Sequence, residues 1–123
     1  MNMSFKSGNA YLMKFRFTRP HPKEKYAICV CEEKPLFFFI SSNPRTRFQK
    51  DSQLKVSPND LPFLHKNSFV NTAEVVTCVI PHTCEIITDF GSIPNHIKQQ
   101  IKMIVQESET LSERFIDIII RKL

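Results

Sequence analysis

Apolar residues recur with a period of two along the first part of this chain and with a helical period after about Ser92. From Leu12 onward Lys14 and Arg16 fall on one face and Met13, Phe15 and Phe17 on the other, so Asn9 to Phe17 reads as a half-exposed strand with a cationic wet face. Tyr26 to Cys31 and Leu36 to Ile40 are β-branched and aromatic runs separated by a charged turn containing Pro35, the pattern of an antiparallel hairpin. Leu36 to Ile40 is apolar at every position, which predicts a central strand covered on both faces. Leu54 and Val56 mark a short or edge strand, and Pro58, Asn59, Asp60 and Pro62 a turn. Ser68 to Val79 is a further β-rich run closed by Pro81, and Glu85 to Thr88 is a last short strand.

Beyond Gly91 the period changes. Ser92 can cap, Pro94 suits a first helical turn, and Ile93, Ile97, Ile101, Ile104 and Val105 share one face, predicting a helix from about Pro94 to Gln106. Thr110 and Glu113 have the spacing of a capping box, and Leu111, Phe115, Ile118 and Ile119 continue a helical repeat. The isoleucines from Ile116 to Ile120 leave a buried strand as the alternative, and their number leaves apolar surface for a dimer or a partner. Residues 1–8 read as a frayed end and 92–123 as the helical part of a single domain spanning 1–123. The class is α+β.

Charge sharpens this picture. Residues 1–66 carry 12 Lys or Arg against 5 acids, a net +7, while residues 67–123 carry 5 against 7, a net −2. A basic first half points to an anionic partner, with nucleic acid first and a solvated basic surface as the plain alternative. Two stretches concentrate the relevant chemistry. Thr18 to Lys25 is kept out of helix and central strand by Pro20 and Pro22 and carries Arg19, His21, Lys23 and Lys25. The strand ending at Ile40 runs into Ser41, Ser42, Asn43, Pro44, Arg45, Thr46 and Arg47. Hydroxyls and guanidinium groups at the end of a rigid strand suit a phosphate-handling surface. No apolar run is long enough to span a bilayer, so a cytoplasmic protein without membrane contact is expected. Cys29, Cys31, Cys78 and Cys84 are then expected as thiols. With no C-x2-C knuckle to wrap a metal, Cys29 and Cys31 read as small apolar residues of a strand, and neither metal nor cofactor is expected.

The order of these parts resembles the PemK/MazF-like toxins of bacterial toxin–antitoxin systems, over approximately residues 9–106. Lys25-Tyr26-Ala27-Ile28 stands where that family has Arg-Pro-Ala and an apolar residue, and Ile40-Ser41-Ser42 where it has an apolar residue and Thr-Ser. Asn67-Ser68-Phe69-Val70 resembles its Asp-Ser-x-Val, and Phe90-Gly91-Ser92-Ile93 its Ile-Gly-x-Leu lead into a helix. The resemblance implies a small SH3-like antiparallel barrel, usually dimeric, and a metal-independent endoribonuclease held inactive by an antitoxin. It also implies Lys25 and Ser41 as the pair at the reactive phosphate. His21 is placed to move a proton, and Lys23, Ser42, Arg45, Arg47 and Arg19 to hold RNA, with Tyr26 or Phe48 stacking a base. Two departures are plain: Lys replaces Arg, losing the planar fork, and Ser replaces Thr, losing a methyl. Two other functions stay open, a catalytically inactive nucleic-acid-binding barrel and a protein-interaction module acting through the C-terminal apolar region.

Overall fold

The run Leu36–Ile40 lies at the centre of the sheet, and its all-apolar composition is the reason. The computed structural model describes residues 5–15, 23–42, 53–77 and 84–123, apart from the Lys23 side chain. Its strands are β1 (Asn9–Phe15), β2 (Lys23–Cys31), β3 (Leu36–Ser41), β4 (Gln53–Val56), β5 (Ser68–Asn71), β6 (Val76–Thr77) and β7 (Cys84–Ser92), followed by helices α1 (Asn95–Gln106) and α2 (Glu113–Lys122). One antiparallel sheet of seven strands runs in the order β4-β5-β3-β2-β1-β7, with β6 paired to β3 beside β5. The class is α+β as expected. Among the described residues β4 and β7 do not pair, so the sheet is open where a closed barrel was expected.

Each face of the sheet carries its own core. On one, Ile28, Val30, Phe38, Ile40 and Val70 are sealed by Ile97, Ile101 and Val105 of α1 and by Ile118 and Ile119 of α2. On the other, Tyr11, Met13, Phe15, Ala27, Cys29 and Phe37 pack with Phe5 and Cys84. Phe37 and Phe38, adjacent in sequence, are both fully buried because successive side chains enter opposite cores. A bulge in β2 adds a twist to the pattern: Cys29 pairs with Phe37 but Cys31 with Leu36, so two residues of β2 meet one step of β3. Cys29 therefore enters one core and both Val30 and Cys31 the other. Both thiols are free and buried, and burial pushes Cys29 up to about 12, which removes it as a thiolate at neutral pH.

Several local expectations are corrected. Residues 5–8 are not frayed. Phe5 meets Tyr11 and Phe37 edge-on with ring centroids 5.5 and 4.9 Å away, and Lys6 N–H donates to Tyr11 Oη at 2.8 Å. Gly8 N–H donates to Cys29 O at 2.7 Å and Gly8 O accepts from Ile93 N at 2.8 Å, which joins the N-terminal segment, β2 and the start of α1. Glycine suits that junction because its φ is +88°, a backbone conformation that residues with a side chain rarely adopt. The Ser68–Val79 run is two strands, because Asn71 Oδ1 accepts from Ala73 N at 3.1 Å and turns the chain between them. Ser92 ends β7 instead of capping α1, which starts from Pro94 without a side-chain cap. For α2 the cap is Ser112, accepting from Phe115 N, while Thr110, two residues before it, donates its hydroxyl to Ala73 O at 2.7 Å. Phe115, Ile116 and Leu123 pack against the core beside Ile118 and Ile119, which takes up much of the apolar excess of this helix. Cys84 is disulfide-bonded, its partner lying outside the described residues; sequence spacing alone does not reveal such a pairing.

Ile101, fully buried between helix and sheet, measures the helical core. Ile101→Ala is expected to lower unfolding stability by about 2–5 kcal/mol in urea titrations, whereas Met103→Ala on the exposed side of the same helix should change it by no more than about 0.5 kcal/mol.

Candidate functional site

Strand pairing decides which of the predicted residues meet. Tyr26 pairs with Ile40 and Ala27 with Phe39, so one step further in the same register Lys25 stands across from Ser41. Both project from the face that holds Ala27, Cys29 and Phe37, because alternate residues of a strand share a face. Ser41 pairs on its other side with Phe69 of β5, and Phe69 pairs with Lys55 of β4. A row Lys55, Phe69, Ser41, Lys25 thus crosses four strands on one face. With strands about 4.8 Å apart it spans roughly 14 Å. Lys55 and Ser41 are exposed, Phe69 and Lys25 half-buried. Lys25 Nζ lies 5.4 Å from the centroid of the Phe39 ring, which itself meets Phe15 edge-on at 4.8 Å. The ammonium is therefore steered by an aromatic face.

Of the other expected site residues, Ser42 follows Ser41 directly and is half-buried. Lys23 lies in β2 opposite Phe15, with its side chain outside the described residues, where His21, Arg19, Arg45, Arg47 and Phe48 also fall. Tyr26 does not share the face of Lys25. It packs toward the helical core and contacts Phe63 and Phe90 at ring-centroid distances of 5.3 and 5.9 Å. Adjacent residues of a strand point to opposite sides, so Tyr26 cannot stack a base lying over the Lys25–Ser41 pair. Phe69, which pairs with Ser41, is an aromatic on the face of that pair.

Beyond β4 and β5 the row opens into a cleft of about 450 Å³ lined by Lys55, Val56, Ser57, Asp60, Asn67, Ser68 and Phe69. The 57–67 loop that walls it is braced at Asp60. One carboxylate oxygen accepts from Ser57 N–H at 3.0 Å and from Ser57 Oγ–H at 3.2 Å, and the other meets His96 Nε2 of α1 at 3.2 Å. The Ser57 amide first, and then the His96 bond, hold the Asp60 carboxyl below the usual carboxylate range. Phe63 from the same loop stacks on Phe90 with centroids 4.2 Å apart. His96 thus serves as a brace for the loop, and His65 is exposed.

The row supplies two cations, a hydroxyl and an aromatic face, a set that holds anionic, ring-bearing ligands. Among the described residues no group of three or more His, Cys, Asp or Glu side chains is arranged to hold a metal ion, and no helix is long and apolar enough to cross a membrane. A scan against protein-family models and a search of curated proteins find no match. The fold and site define a class only: an open antiparallel sheet with two C-terminal helices and a cation–hydroxyl–aromatic row across one end.

The Asp60 brace has a pH signature. Its carboxyl titrates lower folded than unfolded, so its stabilisation is present above the unfolded value of about 3.9 and is lost as pH falls through the folded one. Asp60→Asn is expected to unfold at a lower temperature than the parent at pH 7, with the gap closing below about pH 3.9 in pH-dependent thermal melts.

Proposed function

We propose that this chain is the toxin of a toxin–antitoxin pair, an endoribonuclease of the PemK/MazF-like kind with an SH3-like sheet, cleaving single-stranded RNA at Lys25 and Ser41. One observation carries the reading: two residues chosen from separate stretches of sequence stand across from each other on adjacent strands, on an accessible face that also presents Lys55 and Phe69. In cleavage the ribose 2′-oxygen attacks phosphorus, the bond to the 5′-oxygen breaks, and the products carry a 2′,3′-cyclic phosphate and a 5′-hydroxyl. One group must take the 2′-hydroxyl proton and another must give a proton to the 5′-oxygen. Lys25 and Ser41 supply donors to the phosphorane oxygens as negative charge builds there. His21 is the proton carrier this reading requires. Partners of the same reading are an antitoxin that masks the row and a second copy forming a homodimer in the cytoplasm.

A second reading has its own support. Lys at position 25 gives a point charge where the family's Arg gives a bidentate fork, so the row can hold RNA without cutting it. Incubating the purified chain with RNA in EDTA separates the two. Cleavage that falls by about 10²-fold or more in both Lys25→Ala and Ser41→Ala, with unchanged thermal unfolding, is the expected result. Uncut RNA bound with a steep salt dependence would establish the binding reading instead.

A further inference from the structure

We propose that the cleft walled by Lys55, Asp60, Asn67 and Phe69 is a nucleobase pocket that favours bases bearing an exocyclic amino group over uracil. The inference rests on the reading of the adjacent row as an RNA site and specifies which part of the RNA that site selects.

Three features lead to a base and not to a further phosphate. The first is continuity, because Phe69 both lines the cleft and pairs with Ser41, so a nucleotide next to one held at Lys25 and Ser41 has its base within reach of the ring. The second is size: about 450 Å³ falls within the roughly 300–1,000 Å³ of small-molecule sites. The third is chemistry. A half-buried phenyl ring offers a stacking surface that suits any base. Lys55 lines the cleft on the side of the row and can meet a backbone phosphate. The lining also includes the Asp60 carboxylate, which repels a phosphate and accepts hydrogen bonds.

The same carboxylate sets the preference among bases. Asp60 lines the cleft, and with two donors from Ser57 on one oxygen and His96 on the other, its carboxylate keeps an acceptor position beyond these three bonds. Amino groups of cytosine, adenine or guanine can donate to it. Uracil offers an imide N–H flanked by two carbonyl oxygens and meets the carboxylate with repulsion. Asn67 is exposed at the rim, and its amide, both donor and acceptor, can pair with the rest of a base edge. The wall is set before any ligand arrives, since Asp60 is held from two sides and Phe63 is stacked on Phe90.

The test is titration of the full chain with CMP, AMP, GMP, UMP and ribose 5-phosphate, followed by amide chemical shifts in NMR. Shifts at Asn67 and Phe69 are expected with the three amino-bearing nucleotides, about tenfold weaker with UMP, and absent with ribose 5-phosphate. Phe69→Leu, which keeps an apolar side chain but removes the ring, should weaken CMP binding by about tenfold or more. Asp60→Asn should erase the preference over UMP; Asn67→Ala, which leaves the loop's brace intact, should weaken all three amino-bearing nucleotides. Equal shifts from ribose 5-phosphate and CMP, or unchanged CMP affinity in Phe69→Leu, would overturn the pocket. RNA cleavage in EDTA with no nucleotide shifts in the cleft would remove the pocket and leave the nuclease standing. Nucleotide shifts without cleavage would remove the nuclease and keep the pocket.

Discussion

The pairing register of β3 is the constraint on which the rest depends. Phe37 and Phe38 point into opposite cores and both are fully buried, so a slip of one residue would exchange every side chain between two differently shaped interiors. The neighbours of β3 inherit this definition. Once Ala27 sits across from Phe39 and Ile40 from Val70, the positions of Lys25, Ser41 and Phe69 on one face follow with no further choice. Placing polar chemistry at the end of the most tightly specified strand gives it positional precision without burying it.

The two cores divide the work. The one under α1 and α2 is large and aliphatic, and it anchors the C-terminal half through Ile97, Ile101, Val105 and Ile119. The other is aromatic and smaller, closed by Phe5 from the N-terminal segment. Gly8 connects them, bonding to the β2 carbonyl of Cys29 and to the backbone that leads into α1. The candidate row projects from the aromatic side, while its cleft is braced from the helical side by His96 of α1. The proposed site thus draws support from both cores, and a loosened α1 would reach the cleft through Asp60.

Sequence pattern disclosed most elements and little of their assembly. Alternation and apolar runs located β1, the β2–β3 hairpin and α1, because these signals are local and each residue's neighbours in sequence decide them. Ser41 ends β3 and Lys25 lies two residues into β2, so the hairpin that local pattern locates brings them to facing positions. What stayed hidden depends on long-range pairing. Phe69 and Lys55 join the row only because β5 pairs with the end of β3 and β4 pairs with β5, and no local pattern encodes which strands become neighbours. Tyr26 differs for a local reason: as the neighbour of Lys25 in the same strand it projects to the opposite side of the sheet. Thr110 and Ser112 are both capping residue types, and the helix begins after Ser112, whose hydroxyl accepts from Phe115 N.

The lysine at position 25 is the least conventional feature of the proposed site, and the geometry gives a reason it can serve. A flexible four-carbon stem ordinarily costs an ammonium its orientation, whereas a guanidinium carries its own fixed fork. Here the stem is half-buried on the sheet between Met13 on β1 and Ser41 on β3, and the charge lies over the Phe39 ring, which Phe15 in turn holds edge-on. The ring beneath the cation favours this placement of the ammonium. A point charge so placed offers one phosphate oxygen a strong donor, while Ser41 across the strand offers a second from an independent direction. In the proposed site the two donors come from two strands, and their spacing is set by the sheet.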